Sequence, residues 1–179
     1  NDDNLRGGNG ADEILGNGGD DTIEGEDGDD TITGGEGGDD IDGGAGIDTA
    51  VFAGAFADYT VNVATMQITH IASGDVDSIT NVEIFEFSGS GERVFFVGGD
   101  TGEGFATIQA ALDEADQPGD VVFVLPKAGG YNESLVLNHS GVQLIAGTEE
   151  FGENPVVING IDGQAAITIA DNVTGVGIG

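Results

Sequence analysis

Between Gly7 and Val51 the chain repeats every nine residues without a gap: GGNGADEIL, GNGGDDTIE, GEDGDDTIT, GGEGGDDID and GGAGIDTAV. The opening NDDNLR supplies positions four to nine of a sixth unit. Position six is always aspartate, at Asp3, Asp12, Asp21, Asp30, Asp39 and Asp48. Position eight is Leu5, Ile14, Ile23, Ile32 and Ile41, then Ala50 where the run stops, and positions one and four are glycine in all five complete units. One apolar residue in nine cannot build an amphipathic helix, which needs roughly three or four per two turns. It can build a short strand that points one side chain inward, with glycines turning the chain on either side. Glycine also permits positive φ and close backbone approach, which leaves carbonyl oxygens free to face a cation. Calcium takes about six to eight oxygen ligands from carboxylates and carbonyls, and a recurring aspartate beside exposed carbonyls meets that demand.

The charge balance points the same way. There are 34 Asp plus Glu against 3 Lys plus Arg, a formal charge of −31, and 16 of the acids lie in residues 1–51 with Arg6 as the single base there. A compact state carrying that much like charge repels itself unless counter-ions are built in. Nucleic acid and anionic membrane surfaces, which want a basic face, are excluded as partners. With no cysteine, disulfides and thiolate metal sites are excluded as well. No apolar run approaches a membrane span, so no membrane insertion is expected. The sequence starts inside a repeat, without an initiator Met or a signal peptide, and reads as a piece of a longer polypeptide.

The repeat resembles the RTX (repeats-in-toxin) nonapeptide GGxGxDxUx, with U a large aliphatic. That resemblance implies a parallel β-roll in which two nonapeptides make one coil and calcium lies between loops of successive coils on the same side. Asp3, Asp21 and Asp39 would line one edge, and Asp12, Asp30 and Asp48 the other. Four inter-coil sites follow: Asp3 with Asp21, Asp12 with Asp30, Asp21 with Asp39, and Asp30 with Asp48. The family's loop carbonyls would come here from Gly8, Gly10, Gly16, Asn17, Gly18, Gly19, Gly25, Glu26, Asp27, Gly28, Gly34, Glu36, Gly43 and Ala45. Two departures stand out: position two is Asn17 and Glu26 in the second and third units. Glu takes a left-handed backbone less readily than Asn, so distortion is expected at Glu26. The first site lacks half of its upstream loop and is expected to be empty. Without calcium the same composition reads as a disordered acidic linker, so folding and metal binding should be one event.

After Asp48 the pattern changes. Phe52, Phe56 and Tyr59 arrive together, and Tyr59–Val63, Met66–Ile71 and Val82–Phe87 alternate as strands do. A roll end exposes unpaired backbone and an open interior, so a cap is physically expected. The segments Asp48-Thr49-Ala50, Asp58-Tyr59-Thr60-Val61 and Asp77-Ser78-Ile79-Thr80-Asn81-Val82-Glu83 through Phe87 resemble the stretch that often follows RTX repeats in secreted bacterial proteins. Its functional alternative is a ligand site built from Tyr59, His70 and the local acids, although a lone strand histidine is more often structural.

A Gly-rich joint then introduces a second architecture. Ala106–Ala115 carries apolar residues at helical spacing, and Pro118-Gly119 ends it. Short strands are expected at Val121–Leu125, Ser134–Leu137, Val142–Ile145, Val156–Ile158, Ala166–Ile169 and Val176–Ile178. The phrase GEGFATIQAALDEADQPGDVVFVLPKAGGYNESLVLNHSGVQLIAG resembles the start of a right-handed parallel β-helix of the pectin-lyase-like class. The whole chain is thus read as all-β in three parts: a calcium-binding β-roll at 1–51, a β-strand cap at 52–98, and the first coils of a β-helix at 99–179, with an open end at Gly179.

Many members of that β-helix class act on acidic polysaccharides, which needs paired carboxylates with a cation to stabilise charge. Here the bases are Lys127, Arg93 upstream and His139, while Asp162 and Asp171 sit among turn formers. No catalytic residue can be assigned. The Asn-x-Ser/Thr triplets at Asn132, Asn138 and Asn172 read as turns rather than glycan sites. Three functions are consistent with the sequence. One is a calcium-stabilised structural module of a large secreted or cell-surface protein of a Gram-negative-type bacterium, such as an adhesin, surface-layer or filament component. The second is a non-catalytic fragment of an extracellular polysaccharide-active enzyme of the alginate-epimerase or pectin-lyase type. The third is a calcium-dependent carbohydrate-binding module, for which Tyr131 and Phe151 are the available aromatics. Expected partners are calcium, further copies or the rest of the polypeptide at the open end, and polysaccharide under the latter two readings. The RTX resemblance also implies export by a type I system, and millimolar calcium outside cells would then fill weak sites.

Overall fold

The computed structural model describes residues 1–98, 104–125, 134–136, 139, 141–146, 156–159 and 166–168. Lys127, Tyr131, Asn132, Asn138, Phe151, Asp162, Asp171, Asn172 and the strand expected at Val176–Ile178 lie outside those residues. The chain divides into two compact units, Asn1–Glu92 and Arg93–Gly179. The molecule is all-β, with parallel pairing throughout residues 4–52 and a single α-helix among the described residues.

In the first unit, β1 (Asn4–Asn9), β2 (Glu13–Gly18), β3 (Thr22–Asp27), β4 (Thr31–Glu36), β5 (Asp40–Asp42) and β6 (Thr49–Phe52) alternate between two sheets. Odd strands pair in parallel as β1-β3-β5, and even strands as β2-β4-β6. Each step moves eighteen residues, Leu5 opposite Ile23 and Ile14 opposite Ile32, so two nonapeptides make one coil. The position-eight residues stack on the inner faces, with Ile23, Ile32, Ile41 and Ala50 almost wholly buried. Each buried Ile contributes roughly 1.5–3 kcal/mol, so one such residue per nine makes a thin core.

The stretch after the repeats does two things. Residues after Phe52 form a 3₁₀ turn (Phe56–Asp58) and an antiparallel hairpin of β7 (Tyr59–Asn62) and β8 (Gln67–His70). β9 (Val76–Thr80) and β10 (Ile84–Phe87) then return to the roll. β9 lies parallel to β5 with Ile79 opposite Ile41, and antiparallel to β8 on its other edge. β10 lies parallel to β6 with Phe85 opposite Ala50. Sequence periodicity predicts β7, β8 and β10 but misses β9, whose five residues include an Asp-Ser-Ile that repeats the phase of position six to eight. Phe52 packs on Tyr59, Phe85 and Phe87, with centroid separations of 5.3–5.7 Å.

In the second unit, β11 (Glu92–Val97), β12 (Val121–Val124) and β14 (Gln143–Ala146) are parallel neighbours. Helix α1 (Ile108–Glu114) precedes β12; Thr107 caps it by accepting from the Ala110 N–H, and it buries Ile108, Ala111 and Leu112. The run β11-β12-β14 is the pattern of successive coils. β15 (Val156–Asn159) pairs antiparallel to β14, and β16 (Ala166–Thr168) antiparallel to β13 (Ser134–Val136), so the outer strands depart from a parallel coil. The division at Glu92 falls ahead of the boundary expected at residue 98: Val97 bridges Phe105, and the Gly98 N–H donates to the Phe105 carbonyl, which ties that stretch to α1.

Candidate calcium rows

The turns between strands carry a fixed backbone code. Positions two and four have positive φ in every complete unit: Gly8 and Gly10, Asn17 and Gly19, Glu26 and Gly28, Gly35 and Gly37, Gly44 and Gly46. Asn17 and Glu26, at φ 75° and 77°, keep the same turn as their glycine counterparts. Glu26 stays in register opposite Gly8, and its carbonyl accepts from the Ala45 N–H at 2.7 Å. The distortion expected at Glu26 is therefore confined to local strain, with the coil intact. Its carboxylate meets Arg6 at 3.1 Å, and Arg6 also meets Glu24 at 2.8 Å.

Position one needs glycine for a different reason. A Cβ on Gly7 would lie 2.8 Å from the Gly25 carbonyl oxygen and 3.0 Å from Asp12 Oδ2. One on Gly16 would collide with Asp21 Oδ2 and the Gly34 carbonyl, one on Gly25 with Asp30 Oδ2 and the Gly43 carbonyl, and one on Gly43 with Asp48 Oδ2 and the Asn81 carbonyl. At each place a carboxylate oxygen and a carbonyl from the next coil converge on one α-carbon.

The aspartates themselves form two ladders. Asp21 Oδ1 accepts from the Asp3 N–H at 2.7 Å and Asp39 Oδ1 from the Asp21 N–H at 2.9 Å. On the other edge Asp30 Oδ1 accepts from Asp12, and Asp48 Oδ1 from Asp30, both at 2.8 Å. The second carboxylate oxygens of Asp12, Asp21, Asp30, Asp39 and Asp48 are buried and have no hydrogen-bond partner. Asp21, Asp30, Asp39 and Asp48 are at most 2% exposed. Unpaired buried carboxylate oxygens are strongly unfavourable unless a cation meets them. Among the described residues no three acidic or imidazole side chains are arranged to hold a metal by themselves, so backbone carbonyls would have to complete any shell. Anionic, hard, buried and unpaired oxygens beside backbone carbonyls fit a calcium ion.

The other residues implied by the resemblance have mixed positions. Asp27, Glu36 and Ala45 carbonyls already accept from the N–H groups of Gly10, Gly19 and Gly28, at 2.6, 2.8 and 2.9 Å. A carbonyl has two lone pairs, so each retains one. Gly18 lies opposite Glu36. Asp3, at the open first coil, is exposed.

Two acids that the nine-residue period does not pick out join the ladders. Asp77 Oδ1 accepts from the Asp39 N–H at 2.9 Å, and Glu83 Oε2 from the Asp48 N–H at 2.8 Å. Both stand where the next position-six aspartate would be, since β9 and β10 are the next strands of the two sheets. The clue in the sequence is the Asp77-x-Ile79 spacing; what hides it is the hairpin inserted between Phe52 and Val76. Between β9 and β10 the connection is Asn81-Val82-Glu83, against residues 43–48 between β5 and β6, and Asn81 takes φ 49°.

Electrostatics follow from this crowding. Burial, reinforced by Glu83, Asp30 and Asp29 and opposed by the Asp30 N–H, raises Asp48 to about 6. Burial, with Asp39 and Asp75 added and the Asp39 N–H opposing, raises Asp77 to about 6. Asp39 also moves up, again chiefly through burial.

Residues 1–28 and 15–50 match the family model of the RTX calcium-binding nonapeptide repeat, in four copies. Residues 1–50 are RTX repeats. No curated protein matches the chain. The RTX nonapeptide is a calcium-binding repeat, and the family match ends within β6.

Outside the RTX rows, Tyr59 and His70 face one another at 5.0 Å between rings. Both line a cavity of about 650 Å³ together with Asp58, Asp75 and Asp77. The Tyr59 hydroxyl donates to the Ala53 carbonyl at 2.6 Å, and His70 Nδ1 meets Ser73 Oγ at 2.8 Å. In the second unit Arg93 is held by Asp116 at 2.7 Å and by the fully buried Asp120 at 2.5 Å, with its guanidinium 5.1 Å from the Phe95 ring centroid.

Proposed function

We propose that this chain is a calcium-stabilised structural module of a secreted or cell-surface protein, in which ions fill the two aspartate rows and turn a thin, self-repelling roll into a rigid rod. RTX repeats indicate a calcium-binding structural module, and they are typical of proteins secreted by Gram-negative bacteria. The observation that carries the reading is the row of buried, unpaired carboxylate oxygens on Asp12, Asp21, Asp30, Asp39 and Asp48. Four inter-coil sites are proposed within the repeats, joining Asp3 to Asp21, Asp12 to Asp30, Asp21 to Asp39 and Asp30 to Asp48. Carbonyls of the glycine turns would complete each shell. The cap at β7–β10 would seal the roll, and the second unit would be the first part of a parallel β-helix.

Arg93 is engaged by Asp116 and Asp120, which makes it a structural cation and no candidate for meeting a substrate's negative charge. Isothermal titration of the calcium-free chain tests the extracellular part of the reading. Sites that fill only outside a cell should have midpoints on the order of 10⁻⁴–10⁻³ M, the range of extracellular modules. Saturation at or below about 10⁻⁷ M, the range of intracellular buffers and sensors, would contradict it.

A further inference from the structure

Resting on the calcium reading above, we propose that Asp77, in non-repeat sequence, completes a further calcium site with Asp39 and the Gly34–Gly37 loop. Three observations converge on this place. The Asp39 N–H donates to Asp77 Oδ1 at 2.9 Å, the bond that links successive aspartates along the same edge from Asp3 to Asp21 to Asp39. Asp39 is 2% exposed and its Oδ2 has no partner. That oxygen lies against the α-carbon of Gly34, and Gly34 is on the wall of the cavity that Asp77 also lines. The rest of that wall includes Gly35, Glu36, Gly37 and Asp75.

The chemistry is that of the rows inside the repeats, reached by a different route. Asp21 and Asp39 are eighteen residues apart, but Asp39 and Asp77 are separated by 38 positions. The extra chain is the hairpin of β7 and β8. Antiparallel pairing of β8 to β9 sets Ile68 opposite Asp77 and Gln67 opposite Ser78, so the hairpin holds Asp77 in register on β5. The cavity, lined by Gly34–Gly37 and by Asp75 and Asp77, has room for a cation that keeps part of its water shell. An ion here would tie the last repeat to the cap.

The full chain, Asp30→Asn and Asp77→Asn should be compared by calcium stoichiometry in native mass spectrometry. Asn at 77 keeps a neutral acceptor for the Asp39 N–H and removes the charge. The expected result is one calcium fewer than the wild type in Asp77→Asn and up to two fewer in Asp30→Asn, because Asp30 lines both the Asp12 and the Asp48 sites. An unchanged count in Asp77→Asn beside a loss in Asp30→Asn overturns this site and leaves the RTX rows standing. An unchanged count in both overturns the rows as well. If Asp77→Asn does not reach the wild-type far-UV spectrum in saturating calcium, terbium bound to the wild-type chain decides. Tyrosine-sensitised emission abolished by Tyr59→Phe supports a site beside Asp77, whereas emission indifferent to Tyr59→Phe, or no emission, overturns it.

Discussion

The same turn position carries a side chain at Glu26 and has no room for one at Gly35. Glu26 holds φ 77° in a turn where its neighbours use glycine, and a left-handed L-residue costs about 1–2 kcal/mol. Glu26→Gly should therefore raise the stability of the calcium-loaded protein by up to about 1 kcal/mol, once glycine's extra chain entropy and the exposed Arg6 pair are counted. Gly35 is the opposite case: at φ 121° its Cβ would run into the Asn17 carbonyl. Gly35→Ala should cost about 2 kcal/mol or more, and thermal melting in saturating calcium measures both variants. The aspartates give a pH signature. In the metal-free fold Asp48 and Asp77 titrate at about 6, against an ordinary 3.8. Folded carboxyls that hold their protons more tightly than unfolded ones favour folding below pH 3.8, and that contribution is lost as pH climbs through 6. Between those values the calcium-free roll should weaken as pH rises, while calcium affinity should strengthen, because ion and proton compete for the same oxygens. Residual far-UV β signal without calcium, and the calcium midpoint of the folding transition, both compared at pH 4.5 and 7, check the two slopes: each should be lower at pH 7.

Among the elements, the roll was legible in the sequence because every strand-turn pair repeats one physical solution. Position eight supplies the buried aliphatic, positions one and four the glycines, position six the carboxylate. The two stacks Leu5-Ile23-Ile41-Ile79 and Ile14-Ile32-Ala50-Phe85 show where that legibility ends. Ile79 and Phe85 complete the stacks from outside the repeat, across an insertion that breaks the period, so Asp77 and Glu83 could not be placed by counting nines. Phe85, buried opposite Ala50 and against Phe52, follows the small residue on which the position-eight series stops. Phe85→Ala should accordingly cost about 3–5 kcal/mol and lower the thermal midpoint of the calcium-loaded first unit. A loss under about 1 kcal/mol would mean that the cap does not seal the roll. In the second unit, helix α1 and strands β12 and β14 follow from apolar spacing and β-branched runs. The antiparallel return of β15 and β16 does not, because strand direction is set by pairing partners and leaves no mark on a four-residue apolar segment.

For the whole molecule the controlling quantity is charge. Sixteen acids against Arg6 crowd residues 1–51, and the interior they surround holds one aliphatic per nine residues. Hydrophobic burial on that scale does not offset both chain entropy and self-repulsion. Four divalent ions would cancel about half of the negative charge and satisfy the buried carboxylate oxygens at the same time. Folding of the RTX segment and occupation of its calcium rows should then be one cooperative transition. The most direct measurement is far-UV circular dichroism of the calcium-free chain during a calcium titration, with magnesium as the control. A cooperative gain of β signal with calcium alone is predicted. Magnesium demands a smaller, near-octahedral shell and gives up its waters reluctantly, so it should not substitute. A β spectrum already complete without metal, or an equal response to magnesium, would contradict a roll held together by calcium.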